Sequence, residues 1–183
     1  MKFPPREIEL AGGARVTLRE ADAPDARAFL DYRRDEVATS PFVLTVPEDP
    51  TRTPDEQEAL IRAWRADPRS LLMLAWIDDR LIGASSLIAG DRFKCRHSSD
   101  FGTTVAAAWR GRGLGRAMLD TMLRWARENP EILRVTLDVM APNAVARRMY
   151  IEAGFREIGV QRRAYRQPDG AFVDGVPMEL WVG

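Results

Sequence analysis

At 183 residues the chain has the length of one compact domain with one core, and that is the expected organisation over 1–183. Apolar residues make up 45% and charged residues 30%, and 27 basic side chains balance 27 acidic ones, so no net field favours nucleic acid or an anionic membrane. A lone cysteine (Cys95) excludes an intrachain disulfide, a lone histidine (His97) argues against a metal site, and neither a signal-peptide core nor an apolar run near the roughly 20 residues of a membrane span is present, so the default expectation is a cytoplasmic protein without a metal.

In chain order, residues 15–19 alternate and predict a strand. Asp22, with Pro24 two residues on, predicts a helix start, with the helix running to about Arg34. Residues 38–54 carry Pro41, Pro47, Pro50 and Pro54, which predicts a long irregular loop. Thr53 followed by Pro54 opens a second helix that ends near Asp67-Pro68. Leu71–Ile77 and Leu81–Ile88, joined at Asp78-Asp79, read as a hairpin, and Ser98–Val105 as another strand. Helical spacing of Leu114, Met118, Met122 and Trp125 predicts a helix over 113–129, stopped by Pro130. Residues 133–139 alternate as a strand, and 143–153 form a short helix closed by Gly154. Two last strands, 155–165 and 172–181, flank a turn at Pro168-Asp169-Gly170. The order β α α β β β α β α β β predicts an α/β (α+β) fold, a mixed sheet of about seven strands with about four helices packed on it.

The strongest chemical signal is Arg110-Gly111-Arg112-Gly113-Leu114-Gly115-Arg116, after a strand and opening a helix. Alternating glycines let backbone approach a ligand, and a helix N-terminus offers unpaired N–H groups to an anion. The three arginines add charge beside it. A nucleotide P-loop is disfavoured because Gly-Arg-Ala stands where Gly-Lys-Ser/Thr is needed, and a dinucleotide fingerprint because Arg116 stands at its third glycine. The turn therefore reads as a pyrophosphate cradle or as a plain solvated connection, and by itself it does not separate the two.

The wider segment 97–156 does. Arg110-x-x-Gly113-x-Gly115, followed by Asn143, Tyr150 and Gly154-Phe155 in that order, resembles the acetyl-CoA-binding core of the GNAT superfamily of N-acetyltransferases. The closest pattern is that of the spermidine and ribosomal-protein N-terminal acetyltransferases. The resemblance implies a mostly antiparallel twisted sheet, acetyl-CoA as acetyl donor and an amine as acceptor. It implies that Thr103, Thr104 and Val105 pair with the CoA arm through their backbone, that Arg110, Gly111, Arg112, Gly113, Leu114, Gly115 and Arg116 hold the pyrophosphate, and that Asn143 binds the arm from the other side. Tyr150 is implied as the group that protonates the leaving thiolate, and Asp100, where relatives often carry Glu, as the base that deprotonates the amine.

Each residue has a plainer role as well: Asn143 as a helix N-cap, Tyr150 as a core aromatic, Asp100 as a surface carboxylate. His97 and Cys95 read as incidental. On the acceptor side the cues conflict. Glu48, Asp49, Asp55, Glu56 and Glu58 suit a polyamine or are a solvated face, whereas Arg162, Arg163 and Arg166 suit an acidic partner. A CoA-binding regulatory module without turnover is the alternative function. A nucleic-acid binder is disfavoured by the zero net charge. The oligomeric state is not readable from the chain; homodimers are common among similar enzymes.

Overall fold

The computed structural model describes residues 3–183. Nine strands form one sheet in the order β1-β2-β3-β4-β5-β6-β9-β7, with β8 also on β9. The strands are β1 (Arg6–Glu9), β2 (Arg15–Glu20), β3 (Leu71–Ile77), β4 (Arg80–Ala89), β5 (Ser98–Val105), β6 (Arg134–Met140), β7 (Arg156–Glu157), β8 (Gln161–Arg166) and β9 (Phe172–Trp181). The helices are α1 (Ala26–Thr39), α2 (Pro54–Ala66), α3 (Leu114–Glu128) and α4 (Ala144–Glu152). Every strand pair is antiparallel except β5 with β6.

The sheet has nine strands where the sequence predicts about seven. One extra strand, β1, is four residues of Arg-Glu-Ile-Glu, too short and too charged to show a strand pattern; the turn at 10–14 folds it onto β2. The other arises because the single strand expected over 155–165 breaks. Arg156 and Glu157 pair with Glu179 and Met178, the chain leaves the ladder through Gly159, and it rejoins β9 at Gln161↔Gly175. Helix α1 also starts and ends later than expected. Asp22 caps a short 3-10 turn at Ala23–Asp25, and the α-helix proper follows it. It runs to Thr39 because the first helix-incompatible residue is Ser40, held extended (φ −133°, ψ 120°) by the proline after it.

The two faces of the sheet carry two apolar clusters. α3 and α4 cover one face: Leu114, Met118, Leu119, Met122, Leu123 and Trp125 form a buried stripe against Met73, Ile82, Phe101, Val135, Leu137 and Met178. Each such side chain contributes about 1.5–3 kcal/mol by leaving water. α1 and α2 cover the other face, with Phe29, Tyr32 and Ile61 against Leu72, Leu74 and Ala84. α2 begins as the sequence predicts, on a capping box: Thr53 N–H donates to Glu56 (2.8 Å) and Glu56 N–H to the Thr53 hydroxyl (3.3 Å). Among the described residues no helix is long and apolar enough to cross a membrane.

Candidate active site

The site begins with a mismatch in the sheet. β5 and β6 pair only over Ser98↔Arg134, Ser99↔Val135 and Asp100↔Thr136. Beyond Asp100, β5 stays on β4 as far as Val105, and β6 stays on β9 as far as Met140. Two parallel strands that each keep one partner and lose the other open a wedge. The backbone of Gly102–Val105 on the β6 side therefore has no strand to pair with, although an extended strand points half its polar groups that way.

Side chains alternate across the wedge wall. Thr103 shares a hydrogen bond with Ser85 (Oγ···Oγ1 2.7 Å) on the α3 face, and Tyr32 of α1 donates its hydroxyl to Thr104 Oγ1 (2.9 Å) on the other face. Burial pushes the Tyr32 phenol well above its usual range, so it stays a donor.

After β5 the chain turns through Ala106–Gly113 into α3. Gly111 and Gly113 have φ of 71° and 85°, the left-handed region, and a Cβ on either would meet nothing within 4 Å. Their glycines are thus required by backbone conformation and stand beside open space. Gly113 is the N-cap of α3 and offers no side-chain cap. The first intrahelical bond is Ala117 N–H to Gly113 O (3.0 Å), which leaves the amides of Leu114, Gly115 and Arg116 as uncapped donors at the positive end of the helix.

The arginines of the turn are arranged differently from the expectation that all three add charge to the cradle. Arg110 folds away from it. Its Nε donates to Val105 O (2.8 Å), Nη1 to Thr39 O (3.0 Å) and Nη2 to both carboxylate oxygens of Glu36 (3.1 and 3.3 Å). Glu36 is 2% exposed, and burial raises its pKa against the opposing pull of Arg110. Arg112 lies over the Trp109 ring (4.9 Å to the centroid), and Arg116 pairs with Asp120 (2.9 Å) and Glu152 (3.7 Å). What faces the open space is therefore backbone N–H. Arg110 acts as a brace from the turn to α1, and its partner was not identifiable in sequence because Glu36 lies 74 residues away.

The opposite flank of the wedge is the β6–α4 junction. Asn143 caps α4, its Oδ1 accepting from Ala146 N–H (3.2 Å), and its own N–H is tied to Met140 O (2.9 Å). The plainer role is thus filled, and the side-chain NH2 is left over. Tyr150, one face further along α4, is 7% exposed, set edge-on to Phe101 (6.1 Å, 84°) and tilted against Phe155 (5.8 Å). Its hydroxyl has no hydrogen-bond partner among the described residues, and burial pushes its pKa up to about 12.

Asp100 sits where the wedge starts, on the α1/α2 face, with Thr136 donating to it at 3.4 Å. Surrounding protein raises its pKa above the usual aspartate range, and the Asp138 carboxylate raises it further. A hollow of about 390 Å³ beside it is lined by Ile88, Ser98 and Thr136. Tyr165 of β8 belongs to the same group: burial first, then Asp138 and Asp100, push its phenol up to about 12. The sequence offers no sign of Asp138 and Tyr165, because one alternates out of a strand and the other belongs to a hairpin read only as a turn with arginines. His97 stacks on Trp181 (6.4 Å) at the paired end of β5, away from the wedge, and Cys95 is exposed.

Comparison with known proteins gives the arrangement a context. The profile of the acetyltransferase (GNAT) family matches residues 26–155. An L-amino acid N-acetyltransferase, AaaT, of Escherichia coli (strain K12) is 28% identical over 106 residues, which are 58% of this chain and 65% of that protein. The chain thus spans just under two thirds of that relative's length. A GNAT-family acetyltransferase structure from Streptococcus pneumoniae superposes with a TM-score of 0.87 at 23% identity, covering 92% of this chain and 99% of that one. A phosphinothricin acetyltransferase from Sinorhizobium meliloti, solved in complex with AcCoA, superposes with a TM-score of 0.78 at 18% identity, covering 92% of this chain and 89% of that one.

Proposed function

The chain belongs to the acetyltransferase (GNAT) family, and from that premise we propose that it transfers an acetyl group from acetyl-CoA to a primary amine by direct attack within a ternary complex. One observation carries the reading: β5 and β6 part after three paired residues and open onto a helix whose first amides are uncapped behind two left-handed glycines. An extended pantetheine arm needs an unpaired strand edge, and a diphosphate needs convergent N–H donors, and the wedge offers both in that order. A fold neighbour that was solved with AcCoA supports the choice of donor.

In this reading Thr103, Thr104 and Val105 present backbone groups to the CoA arm, and Gly111 through Arg116 present amides to the diphosphate, with Gly111, Gly113 and Gly115 keeping the approach open and Arg110, its own N–H tied to Ala107 O (3.3 Å), bracing the turn. The leftover Asn143 NH2 donates to the arm from the far side. Asp100 receives a proton from the substrate ammonium, directly or through water. Its raised pKa makes it a better acceptor than an ordinary aspartate. The freed nitrogen lone pair forms the C–N bond as the C–S bond breaks. The Tyr150 hydroxyl gives its proton to the departing sulfur, the second proton of the nitrogen leaves to solvent, and solvent then reprotonates the phenolate and takes the proton held by Asp100. A phenol held up to about 12 is fully protonated at neutral pH and so is fit to donate.

The test is a calorimetric titration with acetyl-CoA followed by thiol release over a panel of amines. Binding together with amine-dependent thiol release is the expected result. Binding without release from any amine would favour a CoA-binding module, and no binding would remove the reading altogether.

A further inference from the structure

A second hollow, of about 720 Å³, lies between α1, α2 and the loop 40–53, a size that accommodates small ligands. Much of its wall is apolar, including Leu30, Val37, Trp64 and Leu72. Its charged lining is mostly cationic, with Arg27, Arg33, Arg34 and Arg52 against the single carboxylate of Asp31. Arg33 is half-buried there and donates to Thr45 Oγ1 (3.0 Å), and among the described residues no carboxylate forms an ion pair with it. Burial pulls its pKa below the usual arginine value and outweighs the opposing influence of Tyr32 and of Glu36, a carboxylate already paired with Arg110. Gln57, on α2, lines the same hollow, is 1% exposed, and its Nε2 has no acceptor. The one carboxylate in the lining, Asp31, is paired with Arg34 (3.1 Å).

A half-buried guanidinium with no ion-paired carboxylate, beside a buried amide N–H with no acceptor, is complementary to an anionic oxygen on a partly apolar molecule. The hollow also reaches β4, the strand beside β5. Ser86 lines it and stands in register with Gly102, between the Ile88↔Asp100 and Ala84↔Thr104 pairs. Three of the five carboxylates that would suit a polyamine are engaged in local structure: Asp49 with Val46 N–H, Glu56 with Thr53 N–H, and Glu58 with Arg62.

We propose that the acceptor is a primary amine joined through an apolar body to a carboxylate, with Arg33 and Gln57 holding the carboxylate and the amine directed past Ser86 toward Asp100. This rests on the acetyl-transfer reading above. It assigns Arg33 and Gln57 as specificity-determining residues that act in substrate choice and take no part in the proton transfers.

The experiment compares γ-aminobutyrate and ε-aminocaproate with butylamine and hexylamine, and with spermidine, by thiol release and separately by thermal shift. The expected result is a kcat/KM preference of about tenfold or more for each carboxylated amine over its alkylamine partner. The preference should collapse in Arg33→Gln, return in part in Arg33→Lys, and weaken in Gln57→Leu, all with unchanged acetyl-CoA affinity. Equal or faster turnover of the alkylamines or spermidine by the wild type, or a preference untouched by Arg33→Gln, would overturn the proposal. If acetyl-CoA binds and no amine releases thiol, it is the transfer reading that fails, and the thermal shift decides the anion site alone. Stabilisation by ε-aminocaproate and not by hexylamine, lost in Arg33→Gln, supports it; equal shifts refute it.

Discussion

The wedge between β5 and β6 and the hollow over β3 and β4 are built on opposite principles. On the wedge side, β5, the glycine turn and α3 present backbone: amides at a left-handed turn and an unpaired strand edge, with the turn's arginines drawn off to Glu36, Trp109 and Asp120. On the hollow side, α1 and α2 present side chains, Arg33 and Gln57, from helices whose backbone is fully engaged. A backbone site is specified by where side chains are missing, and a side-chain site by which ones are present. The first kind tolerates change in neighbouring side chains, and the second can be retuned by single substitutions. A shared cosubstrate suits the one, and an acceptor that differs between relatives suits the other.

The sharpest way to break this contrast is to put a side chain into the backbone site. Gly113→Glu should lower acetyl-CoA affinity by at least about 100-fold, on the order of 3 kcal/mol, because a carboxylate would occupy the open space in front of the α3 amides. Gly113→Ala, which adds no charge, should cost about 1–2 kcal/mol of stability through its φ of 85° and leave much of the affinity. Calorimetric titration and denaturant unfolding read the two effects separately, and equal affinity in Gly113→Glu and wild type would remove the cradle.

Tyr150→Phe should follow, with kcat lowered by about 100-fold and acetyl-CoA affinity unchanged. Because burial pushes the phenol up to about 12, the wild-type kcat should show no alkaline loss from this group in the ordinary assay range. Wild-type rates in the Phe variant would return Tyr150 to the role of a core aromatic beside Phe101.

A third variant tests whether the two regions are independent. Glu36 belongs to α1 yet holds Arg110 of the turn, and Thr39 O and Val105 O bind the same guanidinium. Glu36→Ala should destabilise the fold by about 2 kcal/mol, less than a fully buried pair because Arg110 is partly exposed. It should also weaken acetyl-CoA binding severalfold by loosening the turn. Loss of stability with unaltered affinity would show that the brace supports α1 alone.

These residues also mark what was legible in the chain. Gly111, Gly113, Asn143 and Gly154 are dictated by local backbone geometry, so their positions could be read one residue at a time, and the structure has each at a turn, a cap or a helix end. The Thr53 cap and the 71–88 hairpin were legible for the same reason. Glu36–Arg110 and Tyr32–Thr104 were not, because each joins residues more than 70 positions apart, and nothing in an amphipathic helix says which polar residue will be covered. Gln57 is the clearest case. It stands in a run of charged residues that reads as a solvated face, yet it is buried. The bulge inside β8 between Gln161 and Tyr165, with Arg163 at φ 55°, has no residue signal, since a left-handed arginine is unfavourable in isolation and is set by pairing on β9.

The smallest expected effect is also the most discriminating, because it concerns the residue that lies between the two regions. Asp100, exposed at its tip, has its pKa raised in the fold by the protein packed around it and by Asp138. A carboxylate raised on folding favours the protonated form, so its contribution to stability is fully present below the unfolded value of about 3.9 and is lost as pH rises through the folded value. At neutral pH the ionised group is therefore a liability to the fold. Asp100→Asn should raise the Tm slightly at neutral pH, and the gap should close as the pH falls toward the ordinary aspartate range. The same substitution should lower kcat/KM and remove the acidic limb of its pH profile, which in the wild type should lie above the usual aspartate position. A purely structural aspartate would lose stability on replacement and leave the limb in place. Opposite movements of stability and rate would mean that the carboxylate is kept at the mouth of the wedge for its proton affinity.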